Sequence, residues 1–169
     1  MSEQVAIDSL EFARNAQVLR GKIAVAGLPR LQELLFSTDG MLEYTLSGFM
    51  NQGQSFLHCE VKGVLQLVCQ RCLEAFVYPV GVKSDLMLVS DEKVLAEMNE
   101  EEDDVVDAIL AEPHLDVLAL IEEEILLDLP MSPKHPLDKC KATDDLQRNS
   151  RQGKAFEALA VLKAQKLKK

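Results

Sequence analysis

Val61-Lys-Gly-Val-Leu-Gln-Leu-Val-Cys-Gln-Arg-Cys-Leu-Glu-Ala-Phe76 reads as the end of one strand, a tight turn and the start of the next strand. Side chains alternate across an extended chain, so Cys59, Val61, Gly63, Leu65, Leu67 and Cys69 share one face of a strand over residues 56–69. The turn Cys69-Gln-Arg-Cys72 reverses the chain, and residues 76–89 return as a second strand in which Pro79 and Gly81 predict an edge or a bulge. Two cysteines at this spacing can hold one metal ion, close a small disulfide, or do neither.

The alternation continues toward the N-terminus. Residues 41–49 form the preceding strand, Asn51-Gln-Gly53 the turn between, and residues 17–26 an earlier strand. Four such strands make an antiparallel meander, open or barrel-like. Asp8 caps a short helix over residues 9–16 with Leu10, Phe12 and Ala13 inward. Residues 28–36, with Pro29 in the first turn, predict a second short helix whose Leu31, Leu34 and Leu35 face inward. Further on, the pattern predicts a helix over residues 91–98 and a short added strand over 105–110. The strongest helix spans 115–129, capped by Asp116, with Leu118, Ile121 and Ile125 toward the sheet. Glu122, Glu123 and Glu124 read as a solvated face, since neighbouring helical positions diverge by about 100°. Pro130 ends the helix. The fold class is therefore α+β, an antiparallel sheet with packed helices.

At 169 residues, with 47% hydrophobic and 27% charged, the chain has the composition of one domain with a real core. We place that domain at residues 1–140, followed by a polar linker and a helix-prone basic tail at 141–169. No stretch approaches the ~20 apolar residues that span a bilayer, and the start of the chain lacks the pattern of a signal peptide, so the expected compartment is the cytoplasm. Cysteines there stay reduced and serve as ligands, core residues or redox groups rather than disulfides. The net charge of -10 is unevenly spread. Residues 91–128 hold fifteen acidic residues and one Lys, an acidic belt, whereas residues 151–169 hold six basic residues and Glu157 alone. Such a body repels phosphate and suits a basic protein, and RNA contact falls to Arg71 in the turn and to Lys163, Lys166, Lys168 and Lys169 in the tail.

Cys59, mid-strand and inward, behaves as a small hydrophobe. His135 and Cys140, in a Pro-rich loop after the last helix, can complete a Cys3His zinc set with Cys69 and Cys72. A redox site of the thioredoxin type needs its first cysteine at a helix N-terminus, and here strands flank the turn. The sequence has no G-x-S-x-G, no phosphate-binding glycine loop and no H-E-x-x-H, and His58, His114 and His135 lie far apart. The expectation is a protein without an active site or a small-molecule substrate. A thiol-redox or zinc-dependent protein using the C-x-x-C pair is the alternative.

Three blocks then carry a resemblance: residues 67–76 with Cys-Gln-Arg-Cys, residues 121–135 followed by Cys140, and residues 154–163. In this order they resemble the bacterial YceD family, the large ribosomal RNA subunit accumulation proteins. The shared positions are Cys69, Arg71, Cys72, Glu124, Leu129, Pro130, Pro133 and Cys140. The resemblance implies support of the synthesis, processing or stability of 23S rRNA, without catalysis, through the rRNA precursor or a basic ribosomal or assembly protein. Many relatives carry a second close cysteine pair after the Leu-Pro segment, completing a four-cysteine zinc site, where this chain has His135 and Cys140. A retained Cys3His site and a site partly lost would both leave this sequence.

Overall fold

The structure, a computed structural model, describes residues 5–100, 107–136 and 139–141. Three long strands dominate it: β4 (Met41–Asn51), β5 (Gln54–Val68) and β6 (Ala75–Val89), each antiparallel to the next in an unbroken register. With β1 (Ala6–Ile7), β2 (Val18–Ala24) and β3 (Leu35–Ser37) before them and β7 (Asp107–Leu110) after, the main sheet runs β2-β4-β5-β6-β7, and β3 pairs with the far end of β5. Leu42, Tyr44, Leu46, Leu57, Cys59, Val61, Leu65 and Leu67 are buried on one face, while Glu43, Glu60, Lys62 and Lys83 lie on the other. Period-two alternation explains both sets. The exposed pairs Lys22–Glu43 (2.7 Å) and Lys62–Glu60 (2.8 Å) on that second face are worth little to stability.

The inner face is covered by helices. In α1 (Ser9–Arg14), capped by Asp8, Phe12 and Ala13 enter the core. Ser9 is fully buried: its N–H and hydroxyl both donate to the Glu112 carbonyl at 3.0 Å, and the Glu112 N–H donates to its Oγ at 2.9 Å. This ties α1 to the segment after β7. A second helix, α2 (Glu92–Glu100), follows β6. The short β8 (Leu115–Asp116) pairs with β1, and its Asp116 caps α3 (Val117–Asp128), whose Val117, Leu120, Ile121 and Ile125 complete the core.

Three expectations need correction. The sheet does not close into a barrel, because β2 and β7 stand at opposite ends of the strand order, and it is mixed, because β7 runs parallel to β6. A strand entering after a helical crossover arrives parallel. The helix expected over residues 28–36 is a single 3-10 turn, Gln32–Leu34, followed by β3. Leu31 and Leu35 are buried as expected, but pairing with β5 draws the chain out of helix. The three glutamates of α3 are not one solvated face, since Glu122 and Glu124 are buried. Pro79 lies, as an edge position would, where β6 has no strand partner on that side among the described residues: β7 pairs with residues 86–89 of β6.

Glu122 is satisfied by the backbone, its Oε1 accepting from the N–H groups of Arg30 (2.6 Å) and Leu31 (3.2 Å). Glu124 has no such help. Burial pushes its carboxyl above the ordinary value; Ser84 pulls it back, and the charges of Asp107 and Glu123 add to the rise. Ser84 Oγ is buried beside it without a well-formed hydrogen bond, so its help is small. A carboxyl raised in the fold costs stability once pH exceeds its unfolded value, and the cost is complete above the folded one. Glu124→Gln is therefore expected to raise the urea midpoint at pH 7, with the gain vanishing near pH 4.

Candidate metal centre

Cys69 directly follows β5 and is fully buried, as the inward alternation of that strand requires. The turn closes through Leu73 N–H donating to the Cys69 carbonyl (2.8 Å) and Cys69 N–H donating to Glu74 O (2.9 Å), which returns the chain to β6. Leu73 takes a left-handed conformation, φ 61°, with its side chain in solvent. Such a backbone disfavours a side chain by about 1–2 kcal/mol. Leu73→Gly is expected to stabilise the protein by up to about 1 kcal/mol and Leu73→Val to destabilise it by about 1 kcal/mol in urea titrations.

The Pro-rich loop after α3 is held against this turn. Gln70 N–H donates to Pro133 O at 2.8 Å, and His135 N–H donates to Cys69 Sγ at 3.5 Å. His135 Nδ1 lies 3.4 Å from Cys72 Sγ, while its Nε2 is 3.2 Å from the Ala75 carbonyl and its ring packs on Phe76. A carbonyl can only accept, so it places the proton on Nε2 and leaves Nδ1 a free lone pair directed at the cysteines. Cys140 is buried in the same cluster, and the adjacent Lys141 pairs with Glu74 at 3.0 Å.

The ligand atoms of Cys69, Cys72, His135 and Cys140 all lie within 4.8 Å of one another. A tetrahedral ion with bonds of about 2.3 Å to sulfur and 2.0 Å to nitrogen separates its ligands by about 3.5–3.8 Å, so the cluster needs only a small contraction to hold a metal. Burial opposes a charge on Cys69, but N–H groups of His135, Cys72 and Arg71 directed at the sulfur outweigh it and bring the thiol down to about 5. At Cys72 the Glu74 N–H favours the thiolate, yet burial and the neighbouring Cys69 and Cys140 prevail and move it up. One thiolate is favoured by the fold, and a cation is what allows the others. Cys59, by contrast, is pushed up to about 12 by burial and by Glu124, and is a core residue.

All four sequence-derived ligand candidates thus meet. Arg71 lies in the turn, with one guanidinium nitrogen buried and unpaired among the described residues. Lys163, Lys166, Lys168, Lys169 and residues 101–104 of the acidic belt fall outside the described residues. His58 pairs with Asp85 across β5 and β6 at 2.6 Å. The Ala75 carbonyl as orienter of His135, and the burial of Glu122 and Glu124, were missed from sequence. A signal for the latter existed: apart from its acidic residues α3 is apolar throughout, so three successive glutamates in its middle cannot all avoid the core side of the helix.

A one-sided sheet with a Cys3His cluster at the end of its central hairpin defines an α+β protein with a potential structural metal site. The family described as Large ribosomal RNA subunit accumulation protein YceD matches residues 57–163, more than half of the chain and the whole of this centre. The chain belongs to that family. The description of the family names large ribosomal RNA subunit accumulation. No solved structure matches the chain. No described helix is long and apolar enough to cross a membrane.

Proposed function

We propose that this protein is a non-enzymatic ribosome-biogenesis factor that supports the synthesis, processing or stability of 23S rRNA in the cytoplasm, with a structural zinc ion at Cys69, Cys72, His135 and Cys140. Family membership is the observation that carries the functional part. The donor set supports the metal, since three thiolates and one imidazole suit zinc, and four protein ligands leave no open position for catalysis. The metal's work is to bind the Pro-rich loop to the sheet, so that α3 and the segment after it keep a fixed geometry. A redox role is disfavoured because the low-lying Cys69 thiol is fully buried and out of reach of a substrate disulfide.

In this reading the acidic belt at residues 91–128, apart from the buried Glu122 and Glu124, engages a basic ribosomal or assembly protein, while Arg71, Lys163, Lys166, Lys168 and Lys169 touch rRNA. Cosedimentation of the tagged protein with large-subunit precursors tests it. Removing residues 151–169 is expected to weaken that association in a salt-dependent way. Association unchanged by the deletion would eliminate the tail's part.

A further inference from the structure

An exposed apolar row crosses the open face of the sheet toward the end where the metal centre lies. Ala24 pairs with Met41 and Val64 with Pro79, and the register that sets Glu43 opposite Lys62 brings Met41 beside Val64. All four stand in solvent, Met41 at 53% and Val64 at 48%, and Val77 (63%) continues the apolar surface two residues before Pro79 on β6. Exposed apolar side chains grouped in this way mark an interaction surface.

The charges on this face select the partner. Arg20, Lys22, Lys62 and Lys83 stand with Glu43, Glu60 and Asp85, so the face is close to neutral in a chain of net charge -10. An RNA strand finds no surplus of positive charge here, and a basic protein no surplus of negative charge. A second copy does find its complement. A two-fold axis running along the strands between β4 and β5 lays the apolar row on itself, Met41 over Val64 and Ala24 over Pro79 of the other copy. In the next row the same axis sets Glu43 over the other copy's Lys62. The like charges it brings together are Arg20 and Lys83, and Lys83 already has Glu60 at 3.3 Å. An axis across the strands would instead set Glu43 and Lys62 against the uncharged end at Gln66 and Val77, leaving both without a partner in the other copy.

We propose that the open face is the interface of a symmetric dimer, two sheets packed face to face with Met41, Val64 and Pro79 near its centre. The two metal centres then lie at one end of the dimer. On the opposite face of each sheet, α3 keeps Glu123 and Asp128 in solvent, free for a different partner.

Sedimentation equilibrium of the full-length protein tests this without RNA, and the expected result is a monomer–dimer equilibrium with Kd of about 10 µM. Met41→Glu with Val64→Glu places four carboxylates at the axis, and the pair is expected to weaken association by at least about a hundredfold; both sites are exposed, so an unchanged Tm shows that the variant folds. Methionine oxidation of the unaltered protein gives a second readout. Met41 is expected to oxidise about eightfold more slowly at about 400 µM than at about 1 µM. Met50, 46% exposed and about 30 Å away along β4, is expected to keep one rate and serves as the internal reference. A monomer at every concentration up to about 400 µM would overturn the proposal, as would a dimer that survives the double substitution or a Met41 rate that does not depend on concentration. Because neither readout involves a ribosomal component, the dimer can fail while the rRNA role stands, and the reverse.

Discussion

Protein purified without chelators is expected to contain about one zinc ion per chain, and Cys72→Ser to lose it together with about 4 kcal/mol of stability if free zinc stands about a thousandfold above Kd. For a chain of this length that loss is about 10 °C in Tm. Serine is close to cysteine in size, so the change reports the ligand rather than a cavity. The effect has a specific structural route: Cys72 Sγ faces His135 Nδ1 at 3.4 Å, and without an ion between them the buried thiols compete for charge. Amide exchange at Gln70, whose N–H is bonded to Pro133 O, is expected to rise in the variant and on chelation of the unaltered protein, since both release the loop. Elemental analysis that finds no metal, with four titratable thiols, would refute the zinc site and leave hydrogen bonds, the Phe76 contact and the Lys141–Glu74 pair to hold the loop.

Gly48→Ala is expected to be the most damaging small substitution away from the metal centre, at about 3 kcal/mol or about 7 °C in Tm. A Cβ at this position would lie 2.5 Å from both Ala13 Cα and Phe12 O. Those are backbone atoms of α1, which no rotamer change can move. The helix is also held by Gly48 N–H donating to Gln17 O and by the Ser9 bonds to Glu112, so it cannot withdraw without breaking them. At Gly63 the nearest atom to a Cβ would instead be the end of the buried Leu42 side chain at 2.5 Å, with the Met41 carbonyl and Leu42 Cα at 3.2 and 3.3 Å and a φ of 159° that itself disfavours a side chain. Thermal unfolding of Gly48→Ala measures the effect, and a Tm within a degree or two of the parent would mean that α1 does not pack on β4 as described.

The long strands were readable residue by residue. Alternation from Leu57 to Cys69 named the buried face, and Asn51-Gln-Gly53 named the hairpin turn, with positive φ at Gln52 and Gly53. Caps were equally legible, since Asp8 and Asp116 accept from N–H groups of the helices they begin. These features depend on near neighbours in the chain. Residues 28–36 failed the same test: Leu31, Leu34 and Leu35 suit a helix locally, but β5 offered Leu35 a strand partner.

Sequence alone determined the β5–β6 hairpin, the inward set of apolar residues, the four potential ligands and the family resemblance, because each rests on spacing along the chain. Tertiary structure alone decided that β7 joins β6 in parallel, that the sheet stays open, and that Glu122 and Glu124 are buried. It also brought His135 and Cys140 to a turn more than sixty residues earlier in the chain, as the Cys72–His135 contact shows. The physical reason is the same in each case. Alternation and capping are set by backbone geometry within a few residues, whereas which surfaces meet depends on how α3 and the Pro-rich loop compete for the sheet, a balance of burial and hydrogen bonding over the whole fold.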